Sequence, residues 1–142
     1  MMVRLNKNLL SDIQLGNLFS QFSKILNSKD QDGVSSILEE ILGPEERIMI
    51  AKRLALIILV VEGHSLYSIS KNLKISSATA QRVKIQVNNN HYKNVLRKLG
   101  KSKRDYFAIL DAIDSILHLG GILPHYGNPS EGWSMVARLV NK

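Results

Sequence analysis

Apolar residues recur along most of this chain at the three- and four-residue spacing of an amphipathic α-helix, whereas strand-like alternation is scarce. One helical stripe comprises Leu15, Leu18, Phe19, Phe22, Ile25 and Leu26. Turn-forming residues at positions 27–33 interrupt it. A second, shorter stripe comprises Val34, Ile37, Leu38, Ile41 and Leu42. The spacing predicts an all-α protein.

A third helix is predicted to begin at Pro44 and to run to Glu62. Proline is pre-organised for the first helical position, and the glutamates that follow it favour the positive end of the helix dipole. Gly63 is a candidate C-terminal stop. After Arg53 the helix is apolar on nearly every side, which is typical of a helix buried all round. Because a chain of this length can hardly surround such a helix alone, we expect a second subunit to help bury it.

Two short helices joined by a tight turn are predicted over about residues 65–88. Ser65 can cap the first helix, and Ser76 or Ser77 can cap the second. The turn between them falls at Lys74 and Ile75. The inward positions are Leu66, Ile69, Leu73, Ala80, Val83 and Val87. The pattern is that of a helix-turn-helix.

Residues 91–142 are predicted to form a C-terminal helical extension with a Gly- and Pro-rich loop at 120–132. One helix is expected around Tyr92 to Leu99, and a second opens at Ser102 with Asp105 in the manner of a capping box. A final turn or two follows Trp133. The loop region carries four large apolar residues, Ile122, Leu123, Tyr126 and Trp133. These either pack back on the body or form a docking surface for a partner, and the sequence leaves both open.

Composition narrows the class of protein. The 142 residues fit one domain with an appendage, here residues 1–90 for dimerisation and the helix-turn-helix, followed by the extension. There is no cysteine, so disulfides and thiolate metal sites are excluded. The first ten residues lack the apolar core of a secretion signal, and the apolar run at 54–61 is far short of the ~20 residues that span a bilayer. We expect a cytoplasmic protein with no membrane partner.

The positive charge is concentrated in one stretch. The formal net charge is +7, and residues 63–104 contain ten Lys or Arg and no Asp or Glu. A merely solvated helical hairpin would normally mix both signs. A basic field over a helix-turn-helix pattern instead indicates the phosphate backbone of double-stranded DNA as partner.

Candidate contacts follow from how such motifs dock, with the start of the second helix facing base edges in the major groove. The base-contact candidates are Ser76, Ser77, Thr79 and Ala80. Small hydroxyls and methyls discriminate weakly, so DNA shape or ordered water should carry much of the specificity. The candidates for phosphate contacts, which position the protein without reading sequence, are Lys71, Lys74, Arg82, Lys84, Lys93 and Arg97.

Several segments, in this order and spacing, resemble the Trp repressor family, and in particular its YerC-like branch of small helical DNA-binding proteins. They are Leu42-Gly-Pro-Glu-Glu-Arg47, residues 51–54, residues 62–63 and residues 65–84, of which Ser77-Ala-Thr-Ala-Gln-Arg-Val-Lys84 is most similar. The resemblance covers roughly residues 13–90. It implies an intertwined homodimer whose N-terminal helices share one core and whose two recognition helices lie about 34 Å apart on a palindromic site.

The resemblance also implies a possible effector pocket. In tryptophan-binding members two arginines sandwich the indole and a threonine lines the pocket; the matching positions here are Arg53, Arg82 and Thr79. Val83 stands where those members have glycine, and overpacking an indole slot costs about 1–3 kcal/mol. Tryptophan is therefore disfavoured. An ion pair of Arg53 with Glu45, Glu46 or Glu62 fits better, as does a phosphate contact of Arg82. Whether any small molecule binds stays open.

The predicted function is a sequence-preferring, repressor-like transcriptional regulator that binds duplex DNA as a homodimer. Two alternatives stay open: a structured-RNA binder using the same basic face, and a protein-interaction adaptor using the C-terminal loop. Asp111, Asp114 and His118 share one helix face, but this is more typical of the solvent side of an amphipathic helix than of a metal site. No catalytic motif stands out, so we expect no metal, no cofactor and no enzymatic activity.

Overall fold

The structure is a computed structural model that describes residues 10–27, 31–117, 123–124, 126 and 130–140. Over these residues it contains α-helices and no β-strand, which confirms the all-α prediction. The helices are α1 (Asp12–Leu26), α2 (Gln31–Ile41), α3 (Pro44–Val61), α4 (Leu66–Leu73), α5 (Ser77–Asn88), α6 (Lys93–Leu99), α7 (Lys103–Leu117) and α8 (Glu131–Val140).

The chain divides into two compact units, Met1–Ile50 and Ala51–Lys142, which we refer to as the N-terminal unit and the C-terminal unit. The functional boundary near residue 90 stays a prediction. Across that boundary, α6 packs against both α7 and α8, and side chains of all three helices join the same core cluster as the helix-turn-helix. The extension is thus part of the C-terminal unit.

In the N-terminal unit, α1 packs against α2. A capping box starts α1: the hydroxyl of Ser11 accepts a hydrogen bond from the backbone N–H of Gln14 (3.1 Å), and the Gln14 side chain accepts one from the N–H of Ser11 (2.9 Å). No residue of α1 is buried. Ile13 is 77% exposed and Phe19 59%. The predicted apolar stripe therefore exists but lies largely in water in a single chain.

The core of the C-terminal unit is built around the second half of α3. It contains Ala55, Leu56, Ile57, Ile58, Leu59 and Val61 of α3 with buried residues of α4 to α8. The sequence led us to expect that a second subunit helps to bury this half of α3, whereas the later helices of the same chain already cover it. The exposed large apolar side chains of α3 lie nearer its start, at Ile48, Met49, Ile50 and Leu54.

The predicted stop at Gly63 is confirmed. Gly63 has a φ of 84°, the left-handed region that favours glycine. Its N–H donates to the carbonyl of Val60 (3.0 Å), and the N–H of His64 donates to the carbonyl of Leu59 (3.0 Å). These two bonds form a Schellman motif, which satisfies carbonyls at the end of α3 and turns the chain into α4.

Apolar residues of the loop region pack against the core of the C-terminal unit. This is one of the two alternatives that the sequence left open. Leu123 is buried and Trp133 is half-buried against the core cluster. Tyr126 stays 64% exposed, although its ring makes an edge contact with Phe107. Ile122 lies outside the described residues. The final helix α8 is longer than the turn or two predicted, and a Cβ at Gly100 would overlap the backbone of Val136, so glycine permits the close approach of α6 and α8.

Candidate nucleic-acid interface

The helix-turn-helix forms where the sequence placed it. Ser65 caps α4, its hydroxyl accepting from the N–H of Ser68 (3.2 Å), and Ser76 caps α5, its hydroxyl accepting from the N–H of Thr79 (3.1 Å). The two helices pack against each other. All the predicted inward positions but Leu66 are buried; Leu66 is half-buried against the core.

The turn is made by Lys74, whose backbone is left-handed (φ 54°, ψ 51°). The N–H groups of Lys74 and Ile75 both donate to the carbonyl of Ser70, the latter at 3.1 Å. This holds the turn tightly and leaves the Lys74 side chain exposed. A left-handed backbone is unusual for lysine, because its Cβ crowds the following carbonyl.

The predicted base-contact residues are in four different situations. Ser77 is exposed at the first position of α5. Ser76 is exposed, and its hydroxyl is hydrogen-bonded to that of Thr79 (2.8 Å), which is itself half-buried. Ala80 is fully buried, with none of its surface exposed, so its prediction as a base contact is wrong. Its other predicted role, as an inward position of α5, is confirmed.

The outward face of α5 was not predicted from the sequence. Opposite the buried residues Ala80 and Val83 lie four exposed side chains at positions i, i+3, i+4 and i+7: Ala78, Gln81, Arg82 and Ile85. Only Arg82 among them was a candidate. Helical periodicity predicts this face, because the spacing that turns Ala80 and Val83 inward turns these four residues outward. The base-contact candidates were instead chosen because they are near the start of α5.

The residues predicted to contact phosphates are mostly exposed. Lys71, Lys74, Arg82, Lys84 and Lys93 are exposed, and Arg97 is half-buried. The stretch that carries them contains no acidic residue, so their charges have no carboxylate nearby along the chain. At its far end Arg104 lies 3.8 Å from Asp105. The helices α4, α5 and α6 thus each carry exposed cations, whose potential favours phosphate.

The possible effector residues differ in burial. Arg53 and Arg82 are exposed and Thr79 is half-buried. Val83 is buried in the core cluster, so its side chain faces the interior of the unit. Glu62 accepts hydrogen bonds from Tyr106 and from Ser130 (3.1 Å). An effector pocket formed by Arg53, Thr79 and Arg82 stays a prediction.

Other sequence candidates contribute little to the site. Across the described ranges, no group of three His, Cys, Asp or Glu is close enough to hold a metal ion. His118 lies outside those ranges. In the part of the chain that the structure covers, no helix is long and apolar enough to cross a membrane.

A helix-turn-helix that carries exposed lysines and arginines is typical of DNA-binding proteins. The model of the Trp repressor protein family matches residues 17–100, more than half of the chain, from within α1 to the end of α6. The chain therefore belongs to the Trp repressor family, a family of DNA-binding regulators and not of enzymes. No curated protein and no solved structure matches it significantly. The helices α7 and α8 lie beyond the matched residues.

Proposed function

We propose that this protein is a transcriptional regulator that binds duplex DNA as a homodimer and acts as a repressor by occupying an operator. The observation that carries the proposal is the exposure of Lys71, Lys74, Arg82 and Lys84 on one helix-turn-helix, within 42 residues that lack any acidic side chain. In this arrangement α5 enters the major groove while α4 crosses the backbone. The lysines neutralise phosphates and release counterions, which drives binding.

The homodimer is supported by the N-terminal unit. Its exposed large apolar residues are Leu10, Ile13, Leu15, Leu18, Phe19, Ile25, Ile41, Ile48, Met49 and Ile50. Soluble monomers rarely leave so many apolar side chains in water unless a partner covers them. The occupant we propose is a second copy of the chain, because the family resemblance implies N-terminal helices that share one core between subunits.

A dimer also explains how small side chains on α5 could suffice for specificity. Two copies of one recognition helix read two half-sites, so each weak preference counts twice and the spacing of the half-sites adds its own constraint. We propose no role for tryptophan, since Val83 is part of the core and Arg82 serves equally well as a phosphate contact. We propose that the protein acts in the bacterial cytoplasm and is associated with the nucleoid when it is bound to DNA.

The experiment is selection of bound duplexes from a random library by the purified protein. We expect enriched sequences with two-fold symmetry and half-site centres about 10 base pairs apart. The double variant Lys71→Ala, Lys84→Ala should lose affinity on all sequences and flatten the salt dependence, whereas Lys24→Ala, on α1, should not. Enrichment without symmetry would contradict the dimer, and stronger displacement by structured RNA than by duplex DNA would favour the RNA alternative.

A further inference from the structure

The outward face of α5 carries a combination of side chains that points to particular bases. The helix buries Ala80, Val83 and Val87, and its opposite side presents Ala78, Gln81, Arg82 and Ile85. Arg82 and Lys84 flank this face with positive charge. Gln81 and Ile85 are the two larger uncharged residues of this face. They lie one helical turn apart and are therefore neighbours on the helix surface.

Ile85 is the aliphatic residue of this face. It is 50% exposed in the middle of a helix whose other exposed side chains are mostly polar or small. In the isolated chain nothing is gained by leaving this aliphatic group in water. In the major groove the apolar group that base edges offer is the 5-methyl of thymine, which suits an isoleucine better than any polar base edge does.

Gln81 is the amide residue of this face. Its carboxamide supplies a donor and an acceptor in one plane, which matches N7 and the N6 amino group of adenine. Four residues of helix rise about 6 Å, close to two base-pair steps of 3.4 Å. The contacts of Gln81 and Ile85 would therefore fall on base pairs about two steps apart, and Ala78 adds a small methyl one turn nearer the start of the helix.

We infer that α5 selects a half-site containing A·T pairs, with Gln81 reading an adenine and Ile85 reading a thymine methyl. This rests on the proposed function, because it requires α5 to enter the major groove. It replaces the serine-centred view of base contact, since the hydroxyls of Ser76 and Thr79 bond each other (2.8 Å) and Ala80 is buried. The flanking cations fit the phosphates on either side of the groove and disfavour an apolar protein as occupant of this face.

The test uses the full-length protein and a duplex chosen by the selection above. Each thymine is replaced in turn by deoxyuridine, which keeps the base pair and removes only the methyl. We expect wild type to lose about fourfold in affinity per methyl at one position of each half-site. Ile85→Ala should bind more weakly and no longer respond to that replacement. Val95→Ala, an exposed apolar residue of α6, is the matched control and should respond as wild type does.

The adenine contact is tested in the same way with 7-deazaadenine, which lacks the N7 acceptor. Wild type should lose about fivefold or more at one adenine per half-site, and Gln81→Ala should be insensitive there. Asn94→Ala, an exposed amide of α6, is the control. Binding with clear sequence preference but no response to either base analogue would overturn the inference and leave the proposed function standing. Absence of binding to any duplex would overturn the proposed function itself.

Discussion

At the scale of single residues, one polar cluster ties the end of α3 to the C-terminal helices. Glu62 accepts hydrogen bonds from the hydroxyls of Tyr106 and Ser130, and the Ser130 hydroxyl accepts from the N–H of Trp133 (3.0 Å). A Cβ at Gly132 would overlap the Glu62 carboxylate, so the chain passes it closely. The sequence offered Glu62 only as an ion-pair partner of Arg53. Its actual partners lie 44 and 68 residues away, and no local pattern indicates such a pairing.

This cluster predicts a dependence of stability on alkaline pH. Burial, and then the hydrogen bond to Glu62, raise the pKa of Tyr106 well above its ordinary value. Above about pH 10 an unfolded tyrosine loses its proton while Tyr106 in the native chain keeps it. The free energy of unfolding should therefore fall as pH rises, by about 1.4 kcal/mol per pH unit from this group, and be unaffected by it at neutral pH.

The measurement is urea unfolding from about pH 8 to pH 11 on wild type and Tyr106→Phe. The variant should be less stable at neutral pH by about 1–3 kcal/mol, because Glu62 loses a donor. Its stability should decline less steeply above pH 10, so the two curves converge. Tyr67→Phe, whose ring is exposed, is the control and should follow wild type. Parallel curves for wild type and Tyr106→Phe would contradict the assignment.

At the scale of elements, the helix-turn-helix could be predicted almost completely from the sequence. Its caps at Ser65 and Ser76 and its turn at Lys74 depend on residues within a few positions of one another, and such local chemistry is visible in a sequence. The direction in which each side chain points was harder to predict. Thr79 and Ala80 are close to the start of α5 yet turn toward the body, because α5 packs against α4 on that side. Which face of α5 is exposed follows from packing and not from nearness to the cap.

The turn itself gives a prediction that separates backbone strain from charge. Lys74→Gly and Lys74→Ala remove the same cation, but only glycine is free of Cβ crowding at the observed φ of 54°. We expect Lys74→Gly to be more stable than Lys74→Ala by about 1 kcal/mol in thermal unfolding. Both should flatten the salt dependence of DNA binding equally, by about one unit per subunit. Equal stability of the two variants would mean that the left-handed turn is not maintained in solution.

At the scale of the whole molecule, the sequence identified the helices but not how they combine. Amphipathic spacing shows that a helix has an apolar side without showing what covers it. The second half of α3 is covered by helices of its own chain, including α7 and α8, which lie outside the residues that match the family. The N-terminal unit is the reverse case: its apolar stripe was predicted correctly, yet none of α1 is buried in one chain. The apolar surface that one chain leaves exposed thus lies on α1 and not at the end of α3.

That difference leads to a prediction about assembly. Each chain has a mass of 15.9 kDa, and wild type should sediment at about twice that mass. Phe19→Glu places a charge on the exposed stripe of α1 and should give monomers, because burying an unpaired carboxylate between subunits is costly. Tyr126→Glu alters an equally exposed aromatic residue in the C-terminal unit and should leave the dimer intact.

Assembly and DNA recognition can then be separated by comparing duplexes with one and with two half-sites. If each subunit of a dimer contributes one α5, the dimer gains much more from the second half-site than a monomer does, because the second contact becomes intramolecular. Phe19→Glu should therefore bind a single half-site about as well as wild type and lose the advantage of the double site. A wild-type protein that is monomeric at concentrations where it prefers the double site would contradict this view. In that case the exposed stripe of α1 would have to be covered by something other than a second copy.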